Sequence, residues 1–195
     1  SWDWEPENHP TIIDNMMNLE LLMWAFAETG DSLFHQVATS HADTTMKYHF
    51  RPDGTSYHIV NYDPVNGGYH YRGTRQGATD ESMWARGQTW GMYGYVFMYQ
   101  HTGKKAYLDL ALQNTNRFIE ELPDDVVPFW DFDAPHLPDE PKDASAGALA
   151  ASAMLSIFNV TKDSTYYRQA VRMLNALSSP QYLNRDRNFG GLIMH

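Results

Sequence analysis

The chain has no cysteine. That absence excludes a disulfide framework, a thiolate zinc site, an iron–sulfur cluster and a cysteine nucleophile, and it leaves the redox compartment open. Basic residues are scarce as well: 14 Lys and Arg stand against 24 Asp and Glu, a formal net charge of −10. This balance argues against nonspecific binding to nucleic acid or to an anionic membrane, since both attract basic surfaces. An anionic ligand must instead be held by a few placed Arg and His side chains. The longest apolar stretches fall short of the ~20 residues that cross a bilayer, so no transmembrane helix is expected. Ser1 opens the chain without Met or a charged-plus-apolar leader, the look of a processed or truncated start. No two histidines have the H-x-x-x-H spacing, so no metal site is expected. Gly67-Gly68 runs into Tyr69-His70-Tyr71 rather than into a helix start, which removes a phosphate loop, and the Gly-x-Ser-x-Gly nucleophile elbow is absent.

What is present is a globular composition. With 43% hydrophobic and 19% charged residues over a length of 195, the chain suits a single domain spanning residues 1–195. Aromatic residues reach 14%, including 6 Trp and 12 Tyr, more than core packing demands. Such an excess in an acidic protein suits sugar binding, where ring faces stack on the apolar faces of pyranoses.

Apolar spacing predicts a helix over residues 11–29, stopped by Gly30, and a second from Asp31-Ser32 to about Phe50 with Leu33, Phe34, Val37, Ala38 and Met46 as its buried stripe. Residues 51–79 change character, with turn signals at Pro52-Asp53-Gly54 and Asn66-Gly67-Gly68, and predict a long loop carrying a short β-hairpin. Helical patterns resume over 80–101 and 104–122, parted by Thr102-Gly103. A Pro- and Asp-rich loop, 123–142, leads to Asp143 as N-cap of an Ala-rich helix ending near Asn159, and Asp163 opens a last helix to about Ser178. The sum is an all-α chain of three helical hairpins. Phe34 with Ala38, Tyr107 with Ala111 and Tyr166 with Ala170 repeat one aromatic-to-alanine step, either a coincidence of helical cores or the grammar of stacked hairpins in a toroid. Three hairpins leave two open ends, which points to part of a larger ring.

Two clusters can carry chemistry. Asp14, three residues after Thr11, is either the acidic member of an N-terminal cap or a carboxylate grouped with Asn15 and Asn18 among apolar neighbours, where desolvation raises its pKa and suits it to proton donation. Arg86 and Trp90 lie i,i+4 on one helix, a cation beside an aromatic plate that can bind a carboxylated sugar; the plainer alternative is a structural ion pair of Arg86 with Glu81 or Asp80. Trp84 lies on another face or in the turn before the helix. Gly87, Gly91 and Gly94 run down one stripe and predict close approach of another helix. His58 falls in the hairpin region, as a hydrogen-bond donor to a ligand or as a solvated loop residue. Asp131, Asp133, Asp139 and Asp143 form an acidic loop, a cation site or a solvated connection, and Asn159-Val160-Thr161 matches a glycosylation sequon.

Four motifs in order, I-I-D-N-M-M-N-L at 12–19, R-P-D-G-x-S-Y-H at 51–58, W-A-R-G-Q-x-W-G at 84–91, and P-x-W-D-F-x-A-P at 128–135 followed by K-D-A-S-A, resemble the unsaturated glucuronyl hydrolases, glycoside hydrolase family 88. Gln88 favours this family over the similar unsaturated rhamnogalacturonyl hydrolases, whose segment continues with Asn. The resemblance implies an (α/α)6 barrel, with this chain as its central part lacking N- and C-terminal helices, and a bacterial polysaccharide-degrading enzyme; the sequence leaves open whether it is cytoplasmic or periplasmic. It implies removal of the 4,5-unsaturated uronic acid from the nonreducing end of lyase-generated oligosaccharides by hydration of the vinyl ether, outside the usual two-carboxylate scheme. By the same resemblance Asp14 matches the general acid/base, His58, Gln76 and Arg86 match substrate contacts, and Trp84 and Trp90 match stacking walls. No cofactor is implied, and a second family Asp belongs to a motif N-terminal to this segment. The alternatives are a rhamnogalacturonyl or ulvan-type hydrolase on the same fold, and a noncatalytic carbohydrate-binding helical domain.

Overall fold

Left-handed backbone at Gly30, Gly103 and Lys162 (φ 71, 68 and 62°) turns three pairs of helices back on themselves. The computed structural model describes residues 9–185 and 190–194; Ser1, expected to be a processed or truncated start, lies outside them. In chain order the elements are β1 (His9–Ile12), α1 (Asn15–Thr29), α2 (Ser32–Tyr48), β2 (Ile59–Tyr62), β3 (Tyr69–Gly73), α3 (Ala85–Thr102), α4 (Lys105–Glu120), α5 (Ala144–Thr161) and α6 (Ser164–Leu177). Three of the helix starts follow the expected capping chemistry: Asp31, Asp143 and Asp163 accept hydrogen bonds from the backbone N–H groups of Leu33, Ala146 and Thr165.

Each hairpin packs internally, α1 on α2, α3 on α4 and α5 on α6, and the first helices form a continuous layer in which α3 lies against both α1 and α5. The aromatic-to-alanine steps belong to this packing: Ala38, Tyr107, Ala111, Tyr166 and Ala170 are buried. The stripe expected on α2 is corrected, because Leu33 and Val37 are 58% and 47% exposed, whereas Ala38, Ala42 and Thr45 are buried. Large rings on the facing helices account for this. The Tyr95 hydroxyl donates to Ala42 O at 2.8 Å and that of Tyr107 to Asp43 Oδ1 at 2.7 Å, so α2 turns its small residues toward them. Gly94 is required by close approach: a Cβ there would stand 2.6 Å from Met16 Cβ and 3.1 Å from the Met16 carbonyl oxygen on α1. Gly91 instead faces Asn114 on α4 and Phe50, so the glycine stripe does not serve α1 alone.

By length and composition α5, with mean hydropathy 1.4 over 18 residues, is apolar enough to cross a membrane, which the expectation of no such helix did not foresee. Its Ala150, Ala153, Met154 and Ile157 are fully buried, and the helix packs between α3 and α6 as a core element.

The expected β2–β3 hairpin is present, but a third strand joins it, in the order β1-β2-β3, all antiparallel. Residues 11 and 12 therefore leave the helix expected from 11 onward. Thr11 pairs with Val60 and Ile12 with Ile59, and the helix starts only at Asn15. A buried His49 fastens this strand, with its Nε2 3.1 Å from Thr11 O and its Nδ1 3.1 Å from the Tyr62 hydroxyl.

Candidate active site

The ladder between β1 and β2 runs one step past the strands, through the Ile13 N–H donating to His58 O at 2.9 Å. The next residue is Asp14, at the N-cap position of α1, whose side chain makes no capping hydrogen bond. The capping alternative for Thr11 and Asp14 is thereby removed: Thr11 is in a strand and the Asp14 side chain makes no capping hydrogen bond. Asp14 Oδ2 lies 3.7 Å from His58 Nε2, is buried, and has no hydrogen-bond partner. Burial pushes the Asp14 pKa above the ordinary carboxylate value, against the opposing influence of its own backbone N–H, the Arg86 charge and the Trp90 indole. Of its expected companions, Asn15 is half-buried and Asn18 exposed.

His58 is not a solvated loop residue, since its side chain is only 2% exposed. Its Nδ1 receives the Arg75 backbone N–H at 3.1 Å, and the Trp84 ring lies 4.6 Å from its own, tilted by 47°. A backbone N–H only donates, so the neutral ring carries its proton on Nε2, the nitrogen facing Asp14. Burial, with the Arg86 charge adding to it, pushes the His58 pKa down to about 4. At neutral pH His58 is therefore an uncharged N–H donor.

Gln76 stands between His58 and Arg86: its Nε2 is 3.5 Å from His58 Nε2, and its Oε1 accepts from Arg86 Nη2 at 3.4 Å. Arg86 does not pair with Glu81 or Asp80. Those carboxylates are engaged elsewhere, Glu81 by Arg51 and the Tyr57 hydroxyl and Asp80 by the Tyr71 hydroxyl and the Thr74 N–H. The Arg86 partners are Asp143 Oδ2 at 3.3 Å and Ser145 Oγ at 3.1 Å, both at the start of α5. Trp84 occupies the N-cap position of α3, only 4% exposed, with His58 against its ring and the Arg86 guanidinium 5.3 Å from its centroid. Trp90, one turn beyond Arg86 on α3, is half-buried, and its indole nitrogen is buried without a partner within hydrogen-bond distance. The structure thus brings Asp14, His58, Gln76, Trp84, Arg86 and Trp90 into one site.

Two roles went unforeseen in the acidic loop. Asp131 is fully buried and is neither a solvated connection nor part of a metal cluster. Its carboxylate accepts from the Ala78 N–H at 2.8 Å, Ser82 Oγ at 2.7 Å and the Asp133 N–H at 2.9 Å, and Asp133 accepts from the Met83 N–H at 2.7 Å. These bonds clamp the segment that carries Gln76 and leads into Trp84. The sequence signal was the apolar company of Asp131 in Phe129-Trp130-Asp131-Phe132, which suits a buried carboxylate better than a solvated one. Asp143 is the second: besides capping α5 as expected, it serves as the counter-ion of Arg86. Among the described residues no group of three or more His, Cys, Asp or Glu could hold a metal ion. Gln88 lies outside the site, buried, accepting from the Ser56 N–H and hydroxyl and donating to Asn114.

No family model matches the chain. An unsaturated glucuronyl hydrolase of Formosa agariphila is 43% identical over 199 residues, covering 100% of this chain and 50% of that protein. Another, of Bacillus sp. strain GL1, is 37% identical and covers 94% of this chain and 49% of that protein. The crystal structure of an unsaturated glucuronyl hydrolase specific for heparin superposes with a TM-score of 0.90 at 43% identity, covering 94% of this chain and 50% of that one. The chain spans about half the length of the relatives it matches, and its hairpins correspond to about half of their (α/α)6 barrel. In sequence and in fold alike, the chain is a homologue of the unsaturated glucuronyl hydrolases over about half of their length.

Proposed function

We propose that the protein removes a 4,5-unsaturated uronic acid from the nonreducing end of lyase-generated oligosaccharides, glycosaminoglycan fragments among them, by adding water across the vinyl ether double bond. One observation carries this reading: a carboxylate oxygen of Asp14 is buried, unpartnered and aimed at His58, with its pKa raised. Burying such an atom without a bond costs about 1–3 kcal/mol, a cost that a bound reactant offsets. Asp14 protonates C4 of the double bond, leaving an oxocarbenium-like C5. Water then adds at C5 and gives its proton back to Asp14. The resulting hemiketal opens to a keto acid and frees the remaining sugar, so one water is consumed and the carboxyl is restored.

The neutral His58 supplies an N–H donor at the water side. Arg86 and Gln76 bind the substrate carboxylate, and Trp90 presents a partly open ring to the sugar. Trp84 contributes from behind by packing on His58. The described hairpins form a single domain, the site-bearing part of an (α/α)6 barrel. The test is loss of the ultraviolet absorbance of the conjugated double bond when the protein meets lyase-generated disaccharides. Turnover is expected for the wild type and not for Asp14→Asn, which keeps binding; unchanged absorbance across glucuronyl, rhamnogalacturonyl and ulvan-type substrates would overturn the reading.

A further inference from the structure

Asp143 presents a physical puzzle. A site built for an anionic sugar has, against its principal cation, a carboxylate whose side chain is only 9% exposed. Helix capping alone does not require this. Asp143 Oδ1 serves the cap, accepting from the Ala146 N–H at 2.9 Å and from Ser145 Oγ at 2.5 Å, while Oδ2 is turned to Arg86 Nη1 at 3.3 Å. Asn or Ser at this position would cap α5 as well. Arg86 meanwhile has two further anchors, Ser145 Oγ and Gln76 Oε1, so its place does not depend on Asp143 alone.

Among the described residues, few charged or titratable groups bear on Asp14. His58 faces it from the residue before β2, Arg86 acts from α3, and the uncharged Trp90 indole also lies on α3. Burial of Asp14 favours its protonated form, and the Arg86 guanidinium acts against it. Whatever offsets the Arg86 charge therefore weakens its pull toward the ionised form of Asp14. Asp143 is the carboxylate paired with Arg86, and it reaches the site from a different hairpin.

We propose that Asp143 is a positioning residue that tempers Arg86: by partly neutralising the guanidinium it weakens the pull of that charge both on Asp14 and on the anionic substrate. This rests on the hydrolase reading for its catalytic consequence, but the electrostatic coupling can be tested without turnover. Asp143→Asn retains the cap and removes the charge. The carboxyl carbon of Asp14, followed by NMR in protein labelled at aspartate and assigned through Asp14→Asn, titrates at lower pH in Asp143→Asn than in the wild type. Arg86→Gln moves the same midpoint the other way. In turnover of an unsaturated disaccharide, Asp143→Asn lowers KM and lowers kcat severalfold at neutral pH, with kcat recovering as the pH is reduced. A residue that only caps a helix would move none of these. A midpoint for Asp14 that is unchanged or higher in Asp143→Asn, with far-UV circular dichroism intact, overturns the proposal. Absence of turnover in the wild type would overturn the hydrolase reading, while the carboxyl titration still decides the coupling.

Discussion

Asp14 and Asp131 are both carboxylates drawn out of water, and the protein treats them in opposite ways. Asp131 is fully buried and accepts three hydrogen bonds, from two backbone N–H groups and a serine hydroxyl. Asp14 is less buried, yet its Oδ2 has no partner and burial is the largest influence on its pKa. The contrast teaches that partners, more than depth, separate a carboxylate that holds the fold from one available to react. A satisfied carboxylate is a clamp, and an orphaned one stores a cost that a ligand or a proton removes.

The largest expected effect breaks the contrast at the reactive end. Asp14→Asn removes the proposed proton donor and should lower turnover by about 10²–10⁴-fold, read from the absorbance of the double bond. Its effect on stability has the other sign. A carboxyl whose pKa is raised on folding contributes stability at low pH that is lost as the pH rises through the folded value, so at neutral pH the unfolding free energy of Asp14→Asn is no lower than that of wild type. Asp131→Ala should do the reverse, costing about 3 kcal/mol in denaturant unfolding because the Ala78 N–H and Ser82 hydroxyl lose their acceptor. Its residual activity should show a raised KM, since the clamped segment carries Gln76. Should Asp14→Asn prove the more destabilising of the two, the distinction fails.

Histidines sharpen the comparison through pH. His58 is pushed down to about 4 and His49 to about 3 from 6.5, in both cases first by burial. A depressed pKa contributes stability that is present above 6.5 and lost as the pH falls toward the folded values, so the urea midpoint should drop from pH 6.5 down through about 4. His49→Gln should flatten that slope; an unchanged slope would count against it. No His58 ionisation should appear in the pH profile of kcat/KM near neutrality. The smallest effect concerns the distance between layers. Gly94→Ala places a methyl against the Met16 backbone and should cost about 2 kcal/mol, with some loss of kcat because α1 carries Asp14 at its N-cap.

Much of the scaffold was legible because its signals are local. Asp31, Asp143 and Asp163 announce helix starts by their reach to nearby N–H groups, and Gly30 and Gly103 announce helix ends by their left-handed backbone. The strand at His9–Ile12 was not legible. Thr11-Ile12-Ile13 continues the apolar pattern of the helix behind it, and only pairing with Ile59 and Val60 selects the extended form. The partner of Arg86 was hidden for a similar reason: Asp80 and Glu81 are near in sequence, but Tyr71, Thr74, Arg51 and Tyr57 occupy them, and packing of α3 on α5 delivers Asp143 instead.

The sequence by itself determined the three hairpins, the caps and turns between them, and the kinds of side chain available for chemistry, since propensity and capping act over a few residues. Tertiary structure decided which of those side chains meet. The β1–β2 register sets Asp14 beside His58, the Asp131 clamp holds the segment that carries Gln76, and the α3–α5 contact chooses the counter-ion of Arg86. Burial and charge pairing depend on distances that exist only once the chain has folded, and through them Asp14 becomes the unpartnered carboxylate of the site while Asp131 becomes a clamp.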